Sequence, residues 1–170
     1  MSDIDFEACK ALSQEGRNQI YARCSARADF FTTLLDALQG GVEIQDVVTW
    51  FIKKHLEQGA TADPAQVSVI YAHAVRITDW EATLHILQSI PRLGIPRAAR
   101  KQAEIFIRRS LQSENKFVRA WAYNGFSELA EQYSAYREEA SGMFAEALQH
   151  EAPSIKARIR NLTGFFGYND

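Results

Sequence analysis

The chain has 170 residues, of which 46% are hydrophobic and 24% are charged, and its formal net charge is −2 at pH 7. This length suits one domain with its own core, and the composition excludes a disordered or collagen-like chain. The two cysteines form no CxxC pair, no apolar run is long enough to cross a bilayer, and the acidic start lacks signal-peptide features, so we expect a cytoplasmic protein without membrane contact.

Apolar residues at three- and four-residue spacing predict helices along the whole chain, and no segment has the alternation of a strand. Two helices are predicted from Asp3 to about Leu38, with Gly16 as the interruption. Gly40 and Gly41 predict a stop in the left-handed conformation. The further predicted helices are Glu43 to Glu57 ending at Gly59, Pro64 to Val75, Trp80 to Ile90, Arg97 to Leu111, Asn115 to Leu129, Tyr133 to Gln149 and Pro153 to Thr163.

Start and stop signals support several of these boundaries. Asp63 before Pro64 is typical of an N-cap followed by proline in the first helical position, and Asp79 caps the next start. Pro91 predicts the end of the helix that begins at Trp80. That helix is predicted to turn one apolar stripe inward, formed by Trp80, Leu84, Leu87 and Ile90.

The helix from Asn115 to Leu129 is the most informative segment. Its small residues would let a neighbouring helix approach closely, as stacked helical hairpins require. The predicted inward stripe consists of Val118, Ala122, Gly125, Phe126 and Leu129, and the small residues are Ala120, Ala122 and Gly125.

A short motif in this helix recurs later in the chain. Val118-Arg119-Ala120 returns as Ile155-Lys156-Ala157, 37 residues further on, and Trp80 precedes Val118 by 38 residues. A period of this size is typical of two-helix solenoid units. The spacing therefore predicts three repeats in the second half of the chain.

With these residues the chain resembles the HEAT and HEAT-like repeat proteins of the armadillo-type superfamily. The likeness lies in Asp79-Trp80-Glu81, Phe117-Val118-Arg119-Ala120 and Ile155-Lys156-Ala157-Arg158. Six residues before Arg119 and Lys156, where such repeats usually carry Asp, stand Ser113 and His150. The resemblance implies an all-α, right-handed α-solenoid of stacked antiparallel helical hairpins.

The resemblance also divides the chain. We predict one all-α domain over residues 1–170, with N-terminal helices in 1–60, HEAT-like repeats in 61–165 and a C-terminal tail in 164–170 that packs as a cap.

Charge is unevenly distributed. Residues 92–119 hold eight basic residues against two acidic ones, whereas residues 128–151 hold six acidic residues against one Arg. An aligned basic stripe could follow a phosphate backbone, and the alternative is that basic and acidic helices neutralise each other. The predicted stripe comprises Arg97, Arg100, Lys101 and Arg108.

Catalytic and metal-binding motifs are absent from the sequence, so we expect no cofactor, no metal site and no catalytic residue. Glu81 and His85, one helical turn apart, are the nearest approach to an acid–base pair. A carboxylate there would favour the imidazolium, whereas the simpler interpretation is an exposed surface pair.

Arg119 with Trp121 and Tyr123 is the clearest candidate for recognition, because Arg and aromatic residues dominate interaction hot spots. The alternative is that both rings pack in the core while Arg119 bonds to a neighbouring repeat. The full set of candidate binding residues on the concave face is Trp80, His85, Arg119, Trp121, Tyr123 and Arg158.

The sequence thus predicts a non-catalytic HEAT-like binding module with a protein partner. The first alternative is a nucleic-acid-binding protein that resembles the HEAT-like DNA glycosylases for alkylated bases. A HEAT-like bilin lyase, which would handle a tetrapyrrole, is a third interpretation.

Overall fold

The computed structural model describes residues 4–163, and the predicted tail over 164–170 lies outside that range. Throughout the described residues the chain is all-α, with no strand. Short 3₁₀ helices at Val42–Ile44, Arg97–Ala99 and Ser134–Tyr136 precede α4, α7 and α9. The α-helices are α1 Phe6–Lys10, α2 Gln14–Cys24, α3 Phe30–Leu38, α4 Gln45–Glu57, α5 Pro64–Ala74, α6 Trp80–Leu93, α7 Arg100–Leu111, α8 Lys116–Gln132, α9 Arg137–His150 and α10 Pro153–Thr163.

Alternate helices contact one another in succession. In what we call the second row, α4 packs on α6, α6 on α8 and α8 on α10. In the first row, α3 contacts α5 and α5 contacts α7. Sequential helices join the rows, most extensively α7 with α8, and α1 packs on α4. The core therefore lies between the rows and is shared by adjacent helices along the chain.

Local capping explains where many of these helices begin. The side chain of Asp79 accepts the N–H of Ala82 at 2.8 Å, which satisfies a backbone donor that the first turn leaves open. The N-cap predicted at Asp63 ahead of Pro64 is confirmed, and Asp63 also forms a full capping box with Gln66. Side-chain caps at helix starts are supplied by Asp5, Ser13, Asp63, Asp79 and Asn115.

The amino-terminal prediction is wrong in two respects. Three helices rather than two occupy this region, and Gly16 lies inside α2 instead of interrupting a helix. α2 has no fully buried residue, so the apolar pattern carries little information there. The stop after Leu38 is correct, but neither Gly40 nor Gly41 adopts a positive φ; among the described glycines only Gly59 and Gly94 do.

α6 also differs from its prediction. The helix continues through Pro91 to Leu93, and Gly94, with φ of +63°, ends it. A proline near the last turn removes only one backbone bond, and the burial of Leu93 favours the extra turn. Trp80 stands in the first turn and is 46% exposed, so it does not join the inward stripe.

The predicted inward stripe of α8 is confirmed, and all five of its residues are buried. Gly125 is the point of closest approach. A Cβ built there would lie 3.0 Å from Ile90 Cδ1 of α6 and 3.3 Å from Ile107 Cγ1 of α7. The missing side chain therefore lets α8 pack against both neighbours at once.

Polar side chains reinforce the packing from one hairpin to the next. The guanidinium of Arg109 on α7 donates to the carbonyls of Ala74, Val75 and Ile77 at distances of 2.6–3.0 Å, which satisfies the C-terminal end of α5. Just before the start of α7, Tyr133 donates its hydroxyl proton to the Ile95 carbonyl at 2.6 Å. Each bond fixes a helix end to a different hairpin.

A pair of glycine substitutions tests the close approach at Gly125. Gly142 lies in α9, where a Cβ would meet nothing within 4 Å, so Gly142→Ala gains helix propensity of about 1 kcal/mol without a clash. Gly125→Ala makes the same gain but crowds Ile90, and we expect its free energy of unfolding to be about 1–2 kcal/mol below that of Gly142→Ala.

Chemical denaturation of both variants measures this difference. Adding Ile90→Val removes the methyl group that the new Cβ meets, so a double-mutant cycle between positions 90 and 125 should show favourable coupling. Equal stabilisation by both alanine substitutions would contradict the close approach.

Candidate functional site

α8 presents a second, partly exposed stripe at the edge of the core. Phe117 is 57% exposed, and the half-buried Trp121, Asn124 and Glu128 follow it at spacings of four, three and four residues. These positions lie on one side of a helix. We call them the α8 outer stripe.

α10 contacts this stripe through Arg158, which lies over the ring of Trp121. The guanidinium carbon of Arg158 lies 3.9 Å from the centroid of the Trp121 ring, a cation–π contact at close range. Next to it a groove of about 250 Å³ runs between α8 and α10. This α8–α10 groove is lined by Asn124, Ser154, Ala157, Arg158, Asn161 and Leu162.

Arg158 has no acidic partner among residues 4–163: no carboxylate of the described chain lies within ion-pair distance of it. Partial burial lowers its pKa, and no nearby charge opposes that effect. The guanidinium remains charged, because arginine cannot lose its proton in a protein. A partly buried cation thus lies beside a polar groove, without a counter-charge from residues 4–163.

Arg119 and Tyr123 share a different partner, on the side of α8 that faces α9. Arg119 Nε lies 3.1 Å from Glu151 Oε1, and the Tyr123 hydroxyl donates to the same oxygen at 3.2 Å. Arg119 also donates to the Ser113 carbonyl at 2.8 Å. Burial and the Glu151 charge raise the pKa of Tyr123 to about 12.

Glu151 is held ionised in this network. Burial alone would raise its pKa, but the hydrogen bonds and charge of Arg119 outweigh burial and hold the pKa below its usual range. The network borders a cavity of about 470 Å³, which His150, Glu146 and Met143 help to line. Because its donors and acceptors are already matched, the network acts as a brace for the α9–α10 turn.

His85 is placed differently from its predicted pairing. Its Nδ1 lies 3.1 Å from Thr49 Oγ1 on α4, and no ion pair to Glu81 forms. Burial lowers the pKa of His85 to about 4, and the charges of Lys53 and Arg17 act in the same direction. Both interpretations of Glu81 with His85 are therefore wrong: the ring lies between two helices rather than in an exposed surface pair, and it stays neutral at pH 7 instead of forming an imidazolium.

The predicted basic stripe does not act as one unit. Arg108 bonds to Glu104 at 2.9 Å and, through a second nitrogen, to Glu139 at 2.8 Å. Arg100 is exposed, with its guanidinium carbon 5.3 Å from the centroid of the Tyr133 ring. The side chains of Arg97 and Lys101 are exposed.

Trp80 lies apart from Trp121. Its ring borders a shallow cavity of about 400 Å³ at the start of α6, together with Ile77, Arg109 and Val118. Of the six candidate binding residues, the structure thus joins Trp121 to Arg158 and Arg119 to Tyr123, while Trp80 and His85 each have separate surroundings.

Sequence reasoning missed Asn124 and Asn161, although a signal for them exists. They are 37 residues apart, as are Trp121 and Arg158, and this is the period of the repeated motif. It also missed Glu128, a half-buried carboxylate on the α8 outer stripe whose pKa burial and Glu131 raise. Within the part of the chain that the structure describes, no three His, Cys, Asp or Glu residues cluster as a metal site.

Comparisons of the chain with protein-family models, with curated proteins and with solved structures found no match. None of the helices over residues 4–163 combines the length and apolar character that crossing a membrane requires.

His85 makes stability depend on pH in a way that a variant can isolate. Its folded-state pKa of about 4 lies below the ordinary value of 6.5, so protonation favours the unfolded chain. Its contribution is complete above pH 6.5 and is lost as the pH falls toward 4. Between pH 7 and about pH 4.5 this group should cost the wild type about 2.5 kcal/mol.

Chemical denaturation at both pH values, compared between wild type and His85→Gln, measures that loss. We expect His85→Gln to lose correspondingly less stability on acidification. His150→Gln, at an exposed position, serves as the matched control and should behave as wild type. Equal acid sensitivity of His85→Gln and wild type would show that the ring is not buried in its neutral form.

Proposed function

We propose that the chain is a non-catalytic HEAT-like repeat module that binds a protein partner through the surface where α8 and α10 of its second row meet. The observation that carries the proposal is the joined surface of α8 and α10, where Asn124, Arg158 and Asn161 line one groove and Trp121 contacts Arg158 beside it. Aromatic and Arg side chains beside polar groups are the usual composition of an interaction hot spot.

Two features support a repeat of armadillo type as the scaffold. Alternate helices contact in succession, which is what stacked antiparallel hairpins require. In addition, the basic residue of each motif copy has the same kind of partner. Arg119 donates to the carbonyl of Ser113, six residues back, and Lys156 to that of Gln149, seven residues back. A right-handed α-solenoid is the arrangement that we propose for these hairpins.

The nucleic-acid alternative has weaker support. Following a phosphate backbone needs several unpaired cations on one surface. Arg97, Arg100 and Lys101 are exposed, but the basic surface does not continue along the chain, because Arg108 and Arg119 are paired with acidic residues and Arg109 is bonded to backbone carbonyls. The α8 outer stripe also carries Glu128, which would repel a polyanion. Protein recognition is therefore the function that the geometry favours.

Two matched substitutions test the surface. Asn124→Arg places a bulky cation in the middle of the α8–α10 groove, whereas Gln102→Arg places the same side chain on α7 in the first row. Both positions are partly exposed, so both variants should keep the melting temperature of the wild type to within a few degrees.

Affinity capture from an extract of the source cells, followed by hydrogen exchange on the recovered complex, gives the readout. We expect one protein to be retained by wild type and by Gln102→Arg but lost by about tenfold or more with Asn124→Arg, and the complex to protect α8 and α10. Loss with Gln102→Arg alone, or equal retention by both variants, would place the partner elsewhere.

A further inference from the structure

We propose that the α8–α10 groove binds an acidic side chain of an extended peptide, with Arg158 as the residue that receives the carboxylate. This inference rests on the proposed function and names the chemistry of the partner.

Contact with Trp121 positions the guanidinium of Arg158. The guanidinium carbon lies 3.9 Å from the centroid of the Trp121 ring, so contact with the ring restricts where the guanidinium can move. Its five N–H groups have no acceptor in an indole ring face other than the π cloud, so they can still donate to a ligand in the groove. A planar fork of donors matches the two oxygens of a carboxylate. The guanidinium of Arg158 is therefore already held beside the groove before a carboxylate binds.

The charge of Arg158 is not balanced by an acidic residue of the described chain. Among residues 4–163 Arg158 is in ion-pair contact with no carboxylate, in contrast to Arg108 and Arg119, each of which pairs with an acid 31 or 32 residues away. A partly buried cation without a counter-charge gains the most from an incoming anion, because much of its desolvation is already complete. Partial burial also lowers its pKa, in agreement with an uncompensated site.

The size and the polar lining of the α8–α10 groove also suit a peptide. A groove of about 250 Å³ accommodates one side chain with its adjoining peptide unit, and it is too small for a folded domain. The Asn124 and Asn161 amides and the Ser154 hydroxyl line it, and each can donate to or accept from a peptide backbone. These groups suit an extended chain that carries its carboxylate to Arg158.

The surroundings of the groove favour a peptide over a nucleic acid. One face of the Trp121 ring is already covered by Arg158, so it is closed to a nucleobase. Glu128 lies one turn from Asn124 on the α8 outer stripe, and it penalises a chain of phosphates more than a single carboxylate.

Fluorescence anisotropy with three labelled probes tests the proposal. The probes are a ten-residue peptide of Ser and Ala with one central Glu, the same peptide with Gln in place of Glu, and a ten-nucleotide oligothymidine, all at about 50 mM salt to limit screening. We expect wild type to bind the Glu peptide at least about tenfold more tightly than the Gln peptide.

Three variants test whether the guanidinium of Arg158 causes the preference for the Glu peptide. Arg158→Gln should abolish it, and Arg158→Lys, which keeps the charge but loses the planar donors, should retain only a small part. Arg97→Gln makes the same change in charge at an exposed position in the first row and should behave as wild type. Circular dichroism confirms that each variant is folded.

The proposal is overturned if wild type does not prefer the Glu peptide, or if Arg158→Gln keeps the preference. Tighter binding of oligothymidine that depends on Arg158 would also overturn it and would assign the groove to phosphate. If cellular capture still depends on Asn124 in any of these cases, the acidic ligand alone is rejected and the binding module stands.

Discussion

The close packing of α8 against α6 and α7 is the constraint on which the rest of the molecule depends. At Gly125 a single missing side chain lets Ile90 and Ile107 reach the backbone of α8 from two directions. Once α8 is fixed, its buried stripe cannot rotate, and Trp121 and Asn124 must lie on the outer side. The groove with α10 is thus a consequence of core packing, because the same helix supplies both surfaces.

A second theme is how cations complete helix ends. Arg109, Arg119, Arg137 and Lys156 each donate to carbonyls at or near the end of an earlier helix, where backbone acceptors lack partners. This use removes Arg109 and Arg119 from the basic surface that residues 92–119 would otherwise form. Arg158, in contrast, makes no ion pair within residues 4–163.

Local patterns predict the parts of the fold that depend on local physics. The helix from Asn115 onward, the caps at Asp63 and Asp79 and the stripe of α8 all follow from spacing within a few residues. Pro91 gives a wrong helix end because the burial of Leu93 outweighs one lost backbone bond. At the amino terminus, α2 buries no residue fully, so its sequence carries no periodic signal to follow.

The candidate site is predictable only in part, since partners across helices lie far apart in sequence. Trp121 and Arg158 are residue types suited to recognition, yet only the structure brings them together. Spacing on one helix pairs His85 with Glu81, while its real partner, Thr49, is 36 residues away. The 37-residue spacing of the sequence motif also separates Asn124 from Asn161, so this spacing holds a signal for groove positions as well as for the core.

The bonds between hairpins have a further consequence for how the chain folds. Those made by Arg108, Arg109, Arg119 and Tyr133 join residues between 31 and 38 positions apart, so each one closes a loop of similar length. The entropy lost on closing a loop rises with its length, so these bonds cost less to form than bonds that span the whole chain. The extensive contacts between α7 and α8 join adjacent segments, so this pair can order before either terminus is in place.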